Sequence, residues 1–329
     1  LGNFAGRACG PLFFILHSGL RKPFGFPYSD AVPVEFTLPS FAKVNLYLRV
    51  LGRRDDGYHE LCTVFQTVSL HDSITFAEAR DLSLSWNQNE VAVSDDNLII
   101  RAANALKRSF KVSKGARINL VKAIPAPGGL GGGSSNAAIA LLGLSKLWQL
   151  KAGRQDLEEI AAAIGSDVPF FLHGGTSLGT SRGEQVEELP DLSTGPMLIV
   201  TPNLAISTPD AFYRLSAPNL TKQALNRNLS VCRDEARSPD LLHTALKNDL
   251  EPSVFDAYPE VGRVKERLLA LGANNAVMSG SGASVFAIFD KEETRQAAMK
   301  ALDNEVNWRK FAVAAISRTE YREALQFVF

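Results

Sequence analysis

An excess of charge of either sign is missing: Lys and Arg number 35, Asp and Glu 35, and the formal net charge is zero. A chain so balanced lacks the basic field of a general nucleic-acid binder. Anion recognition is then left to backbone N–H groups and a few placed cations. Cysteine is scarce. Cys9, Cys62 and Cys232 form no CxxC pair, which argues against a disulfide framework and a structural zinc site and suits a reducing compartment. His71, His173 and His243 have no spacing that points to metal ligation, so no metal site is assigned. No apolar run approaches the roughly 20 residues of a membrane helix, and neither a Walker A loop, G-x-x-x-x-G-K-[ST], nor an internal repeat occurs. What is there is ordinary for a globular chain. Hydrophobic residues make up 45% and charged residues 21% of 329 positions, a length comfortable for two cores.

Leu1 to Val32 carry Arg7, Arg21 and Lys22 against the single acid Asp30, with an apolar patch from Leu12 to Leu16. Residues 1–33 read as an extension, either a targeting remnant or a leader without fixed structure. From Glu35 the pattern becomes regular. Val44, Leu46, Leu48 and Val50 alternate within a strand over Phe36–Val50. Asp55-Asp56-Gly57 marks a turn before a second strand, Leu61–Leu70. Ser73–Phe76 and Leu82–Trp86 read as short strands, Leu98 to Leu106 as a helix behind Asp96-Asn97, and Arg117–Ile124 as a strand. Ala137, Ala140, Leu141, Leu144, Leu147 and Trp148 form the stripe of a buried helix. Asp156–Ile164 reads as a further helix, with Asp156 as N-cap and Gly165 as its stop.

The order changes after Pro190–Pro196. Strand Met197–Thr201, helix Pro209–Leu215, helix Glu260–Leu271, strands Asn275–Met278 and Val285–Phe289, helix Glu292–Leu302 and strand Phe311–Ile316 follow the split-βαβ plan. Asn219–Pro239 reads as a polar insertion. The fold class is therefore α+β in two domains, 34–193 and 194–329.

The segment Gly128-Gly129-Leu130-Gly131-Gly132-Gly133-Ser134-Ser135-Asn136, between a strand and the long helix, carries the chemistry. Glycine takes positive φ and lets backbone approach a ligand. N–H groups converging at a helix's positive end make an anion site. Ser134 or Ser135 can cap the helix and face a phosphate or a phosphate-bound Mg²⁺, with Ser135 the first choice as metal ligand. The dinucleotide-binding pattern fails, because Gly129-x-Gly131 has Ser134 where its third glycine should stand.

The stretch Pro125-Ala126-Pro127 followed by that loop and Ala137-Ala138 resembles the central motif of the GHMP kinases. Phe41–Leu48 (FAKVNLYL), Arg54–Leu61 (RDDGYHEL), Gly165–Phe170 (GSDVPF), Asn248–Glu251 (NDLE) and Met278–Ala283 (MSGSGA) complete the resemblance, from about Phe36 to about Ile316. The set is similar to the branch of the family that acts on 4-diphosphocytidyl-2-C-methyl-D-erythritol in the non-mevalonate route to isoprenoids. Pro127 departs from it, standing where the family usually has glycine.

The resemblance implies a ribosomal protein S5 domain 2-like N-terminal domain that binds ATP and a ferredoxin-like C-terminal domain. It implies that residues 125–136 hold the nucleotide, with Mg²⁺ carried on it. Asp167, held in a loop ahead of Pro169, is the candidate base. Lys43, on the first strand, would pair with it and steer the substrate hydroxyl. Asn45, two residues on, shares its face. Tyr58 would stack on a cytosine and His59 hydrogen-bond it, with Thr208 and Phe212 on the far side. Met278–Ser284 would lie beside the phosphate loop and help close the site. The implied partner is a small molecule, not nucleic acid or membrane, bound by a monomer or homodimer in the cytoplasm, or in a plastid-like organelle if residues 1–33 are targeting sequence. Two other readings stay open: a GHMP kinase for mevalonate-type alcohols, homoserine or a sugar, and a non-catalytic nucleotide-binding regulator.

Overall fold

The alternation through Val44, Leu46 and Leu48 belongs to a strand of 19 residues, β1 (Glu35–Arg53), paired antiparallel with β2 (His59–Ala79). The computed structural model describes residues 35–87, 89–91, 94, 96–215, 222–238 and 246–326. The 1–33 extension, Cys9 and His243 lie outside them. β2 joins the two strands expected at Leu61–Leu70 and Ser73–Phe76 into one. Asp72 interrupts the apolar pattern there yet does not break the strand. Its fully buried carboxylate meets Lys122 Nζ at 2.5 Å and accepts from the amides of Ala123 and Ile124.

Because β2 is long, it takes different partners along its length. β5 (Gly115–Val121) pairs with its second half, and β6 (Thr176–Ser181) with its first. β3 (Leu82–Trp86) and β4 (Asn89–Val91) extend the sheet beyond β5, and β7 (Gln185–Glu188) extends it beyond β6. Three helices, α1 (Leu98–Phe110), α2 (Gly132–Leu147) and α3 (Arg154–Ile164), pack with the sheet through a core that includes Ile74, Phe76, Ile99, Leu106, Ile118, Leu141 and Leu157. Asn97 caps α1, its side chain accepting from the amide of Ile99. α2 is buried on nearly every side, as expected of a helix apolar all round. The short α4 (Phe170–His173) follows α3.

A second, four-stranded antiparallel sheet has the order β10-β11-β8-β12, made of β8 (Met197–Pro202), β10 (Asn275–Met278), β11 (Val285–Ile288) and β12 (Trp308–Val313). Between β8 and β10 run α5 (Thr208–Tyr213), α6 (Lys222–Ala236), β9 (Lys247–Asn248), α7 (Glu251–Ala257) and α8 (Pro259–Ala270). Then come α9 (Glu292–Ala301) and α10 (Arg318–Leu325). β9 returns to the first sheet and pairs parallel to β1 at Tyr47 and Leu48.

Three expectations change. Asp156 is not the N-cap of α3. Gly153 holds that place, and the Asp156 carboxylate reaches back to accept its N–H at 2.8 Å. Neither Ser134 nor Ser135 caps α2, because the helix starts earlier, behind Gly131 at φ +70°. The polar insertion contains helix α6, seated on the sheet through Leu229, Cys232 and Ala236; residues 219–221 and 239 lie outside the described ones. Cys62 and Cys232 are free and buried. Among the described residues no helix is long and apolar enough to cross a membrane.

A Cβ on Gly143 of α2 would lie 2.4 Å from Cε2 of Phe76, itself fully buried. Overpacking costs about 1–3 kcal/mol and alanine returns about 1 kcal/mol of helix propensity. Gly143→Ala is therefore expected to lower stability by up to about 2 kcal/mol, read as a drop in thermal midpoint of at most a few degrees.

Candidate active site

The loop from Pro125 to Gly131 joins β5 to α2, and two of its glycines are fixed by their surroundings. Gly129, at φ +71°, lies so close to the carbonyl of Ser279 that a Cβ would stand 2.0 Å from that oxygen. Gly131 is packed against Phe171 and the stem of Lys43. The first amide of α2 to find a partner four residues back is Ser135, bonded to the carbonyl of Gly131 at 2.8 Å. The N–H groups of Gly132, Gly133 and Ser134 therefore stand ahead of the ladder at the helix's positive end. They border a cleft of about 800 Å³ lined by residues 125–134, with Lys43, Asn45, Tyr58, His59, Asp167, Thr208 and Phe212.

Ser135 and Asn136 do not line it. The Ser135 hydroxyl is fully buried and accepts from Ser40 Oγ at 2.8 Å. Asn136 donates to Ser40 Oγ and to Asp72 Oδ2, each at 2.9 Å. Both side chains turn toward β1 and β2 because each helical residue advances about 100° around the axis. This corrects their assignment to the nucleotide and the choice of Ser135 as metal ligand: they anchor the helix, and Ser134 is the serine that meets the cleft.

Lys43 is 3% exposed, unlike the usual solvated lysine of a strand. Its ammonium donates to Asn45 Oδ1 at 2.7 Å and to the carbonyl of Gly129 at 3.0 Å, and stands 3.4 Å from Asp167 Oδ2. Asn45 in turn donates to Thr63 Oγ1 at 2.8 Å, and that hydroxyl donates to the carbonyl of Tyr47 at 2.7 Å. The lysine is thus held by a chain of bonds across β1 and β2. Asp167 is a third exposed and opens on the cleft. A carboxylate beside a fixed cation can take up a proton and orient a hydroxyl.

At the other end of the cleft the rings gather. His59 stacks on Phe212, centroids 5.3 Å apart and planes 27° from parallel. The resemblance had implied Phe212 opposite Tyr58 with His59 at the edge; here His59 itself pairs with Phe212. Tyr58 is 57% exposed, with the Arg182 guanidinium 5.0 Å from its ring centre. Thr208 begins α5 behind its N-cap Ser207, and its hydroxyl lies 3.1 Å from that of Ser281 in the second glycine turn. That turn does border the phosphate loop: Ser279 Oγ donates to the carbonyl of Gly129 at 2.9 Å and the amide of Ser284 to that of Gly128.

Three basic residues escape the sequence reading. Arg53 and Arg182 line the cleft near Tyr58. Lys122, paired with Asp72, places Nζ 3.0 Å from where a Cβ on Gly132 would be, at the mouth of α2. A cation just ahead of the Pro125 loop was a usable signal for Lys122. Arg182 sits in a turn with no periodicity to mark it.

Two family models match the chain: GHMP kinases N terminal domain over residues 97–175, and GHMP kinases C terminal over residues 224–307. The 4-diphosphocytidyl-2-C-methyl-D-erythritol kinase of Chlorobium phaeobacteroides is 40% identical over 276 residues, which are 82% of this chain and 92% of the relative. That of Moorella thermoacetica is 42% identical over 264 residues, 78% and 91% of the two chains. The chain belongs to the 4-diphosphocytidyl-2-C-methyl-D-erythritol kinase family of GHMP kinases. A crystal structure of 4-(cytidine 5'-diphospho)-2C-methyl-D-erythritol kinase superposes with a TM-score of 0.68 at 32% identity, covering 85% of this GHMP kinase and 99% of that chain. Homoserine kinase from Cytophaga hutchinsonii gives 0.66 at 20% identity over 89% and 98%, a likeness of fold alone. The α+β, two-domain character read from the sequence is that of the GHMP kinases.

His59 is held below its usual pKa of 6.5, first by burial and then by the charge of Arg53. The ring is then neutral at pH 7, with one donor and one acceptor. Because the folded form resists the proton that the unfolded form accepts, this residue costs stability as pH falls through 6.5 and contributes nothing above it. An NMR titration is expected to give His59 a midpoint below 6.5, moved upward by Arg53→Ala.

Proposed function

We propose that this chain transfers the γ-phosphoryl group of ATP to the C2 hydroxyl of 4-diphosphocytidyl-2-C-methyl-D-erythritol, a step of the non-mevalonate route to isoprenoids. The observation that carries the reading is the Lys43–Asp167 pair, 3.4 Å apart in the cleft bordered by the mouth of α2. Phosphoryl transfer asks for positioning and charge stabilisation more than covalent chemistry. The amides of Gly132, Gly133 and Ser134 bind the terminal phosphates, with Lys122 close by. Asp167 takes the proton of the attacking hydroxyl. Lys43, 3.4 Å from that carboxylate, orients it, and its charge lies where negative charge builds up on the transferring group. Mg²⁺ on the nucleotide offsets phosphate charge. Ser134 and Asp167 supply oxygen atoms on the cleft wall, and among the described residues no cluster of three or more His, Cys, Asp or Glu could hold a metal by itself.

The rings support the choice of substrate. A cytosine has two faces for Tyr58, Phe212 and their neighbours and an edge that a neutral His59 can bond, with Thr208 close by. Mevalonate, homoserine and sugars have no base to stack. Arg53 and Arg182, beside Tyr58, suit the diphosphate of the same substrate. The order β10-β11-β8-β12 supports a ferredoxin-like domain over 194–329, and we assign 34–193 to the S5 domain 2-like ATP-binding half. Scarce cysteine supports a cytoplasmic setting.

Purified protein is expected to release ADP with this substrate and not with mevalonate, homoserine or galactose. Asp167→Ala and Lys43→Ala are each expected to lower kcat by about three orders of magnitude or more, with ATP affinity by calorimetry kept within a few-fold. Full turnover in Asp167→Ala would remove it as the base.

A further inference from the structure

We propose that Asn248 is a positioning residue for the phosphoryl transfer, fixing the second glycine turn against Lys43. The inference rests on the reading that Lys43 serves the reaction. Asn248 is 4% exposed. It is the second residue of β9, and the pairing of β9 with β1 and the bond from the Asp249 amide to the carbonyl of Leu48, 2.9 Å, tie it to the strand that bears Lys43 and Asn45. Asp249 adds to this by accepting the amide of Val50 at 3.0 Å.

The side chain of Asn248 reaches from the first sheet to the turn that leaves β10. Nδ2 donates to two carbonyls, those of Met278 and Gly280, each at 2.7 Å, while Oδ1 accepts the amide of Leu250 at 2.9 Å. Both N–H groups and the oxygen are therefore in use. No other side chain of this size offers two donors on one atom with an acceptor beside them. Aspartate has the same outline and would set a carboxylate against two carbonyl oxygens.

What the amide fixes is the wall around the Lys43 ammonium. Gly280, at φ +56°, stands so close that a Cβ there would be 3.2 Å from the carbonyl oxygen of Gly129, 3.3 Å from Lys43 Nζ and 3.4 Å from Asn45 Oδ1. One residue earlier, Ser279 Oγ donates at 2.9 Å to the same Gly129 carbonyl that Lys43 holds at 3.0 Å. Without the two amide bonds the turn relaxes, Gly129 loses its support, and the ammonium gains room to leave Asp167. A displacement of the order of 1 Å is enough to cost about a hundredfold in rate. Asn248 itself does not line the cleft, so the loss is expected to fall on kcat.

The experiment compares Asn248→Asp and Ser279→Ala with the parent chain in steady-state assays from pH 6 to pH 8.5. Asn248→Asp is expected to lower kcat at least tenfold at pH 8 while KM for ATP and for the alcohol stays within threefold. Its kcat, relative to the parent, is expected to rise several-fold toward pH 6, as protonation of the buried acid returns one of the two donors. Ser279→Ala, which removes the turn's own bond to Gly129, is expected to lower kcat about fivefold with the same flat KM. Parent-like kcat in folded Asn248→Asp, or a loss confined to KM, overturns the proposal. Should Asn248→Asp fail to fold, Ser279→Ala decides, and parent-like kcat there overturns it equally. Lys43→Ala run alongside separates the two levels. Turnover in Lys43→Ala removes the site reading itself, whereas a dead Lys43→Ala beside fully active Asn248→Asp removes this inference alone.

Discussion

An ammonium group that is 3% exposed must find partners for its charge and its donors inside the protein, and Lys43 finds them in Asn45 Oδ1, the Gly129 carbonyl and Asp167 Oδ2. Leaving such a charge unpaired costs several kcal/mol. The surrounding structure therefore follows from housing it. Asn45 must lie on the same face of β1, which the two-residue repeat of a strand ensures. The Gly129 carbonyl must point inward, which turns the phosphate loop into its positive-φ path. Asp167 must come from the end of α3, which the helical pair α1 and α2 support from behind. The ion pair that the proposed reaction uses is thus one part of the network that houses a buried charge.

The phosphate loop and the second glycine turn are fitted to one another through backbone atoms. A side chain on Gly129 would strike Ser279, and one on Gly280 would crowd Lys43. The glycine content of both segments thus answers two demands at once, close approach to an anion and close approach to the opposite loop. Support comes also from beneath. The ring of Phe171 abuts Gly131, and the carbonyl of Phe171 accepts from the hydroxyl of Tyr321 in α10. A C-terminal helix far from the cleft in sequence is by this route two contacts away from the phosphate loop.

Periodicity made most of the elements legible. Leu98 to Leu106, Ala137 to Trp148 and Glu260 to Leu271 announced helices within a few residues of their limits, and β10 coincides with its expected span. The glycine loop was legible because its composition has few other uses. What escaped depended on partners remote in sequence. β2 runs through Asp72 because Lys122, 50 positions later, the amides of Ala123 and Ile124 and the Asn136 side chain all meet its carboxylate. Ser135 and Asn136 read as ligands until helix phase and the neighbouring Ser40 show them facing the sheet. α6 hides in a polar stretch since, among the described side chains, the stripe it sets on the sheet is Leu229, Cys232 and Ala236. The ring pair His59–Phe212 joins residues more than 150 positions apart, and spacing along the chain says nothing of such a contact.

The residues of the cleft stand on parts of the fold that differ in how firmly the core holds them. Homoserine kinase of Cytophaga hutchinsonii shares the fold at 20% identity, so the fold alone does not select a substrate. In this chain Lys43 and Asn45 sit in the interior of a long strand, and the amides proposed to face the phosphates begin a buried helix. Their geometry is set by ladders and core contacts that leave little freedom. Tyr58 follows the Asp56-Gly57 turn, Arg182 lies in the turn between β6 and β7, and Thr208 and Phe212 belong to a six-residue helix. These are short connections, where a substituted side chain disturbs little of the core. On the proposed reading, transfer chemistry rests on the buried strand and helix, and recognition of the base on these short connections.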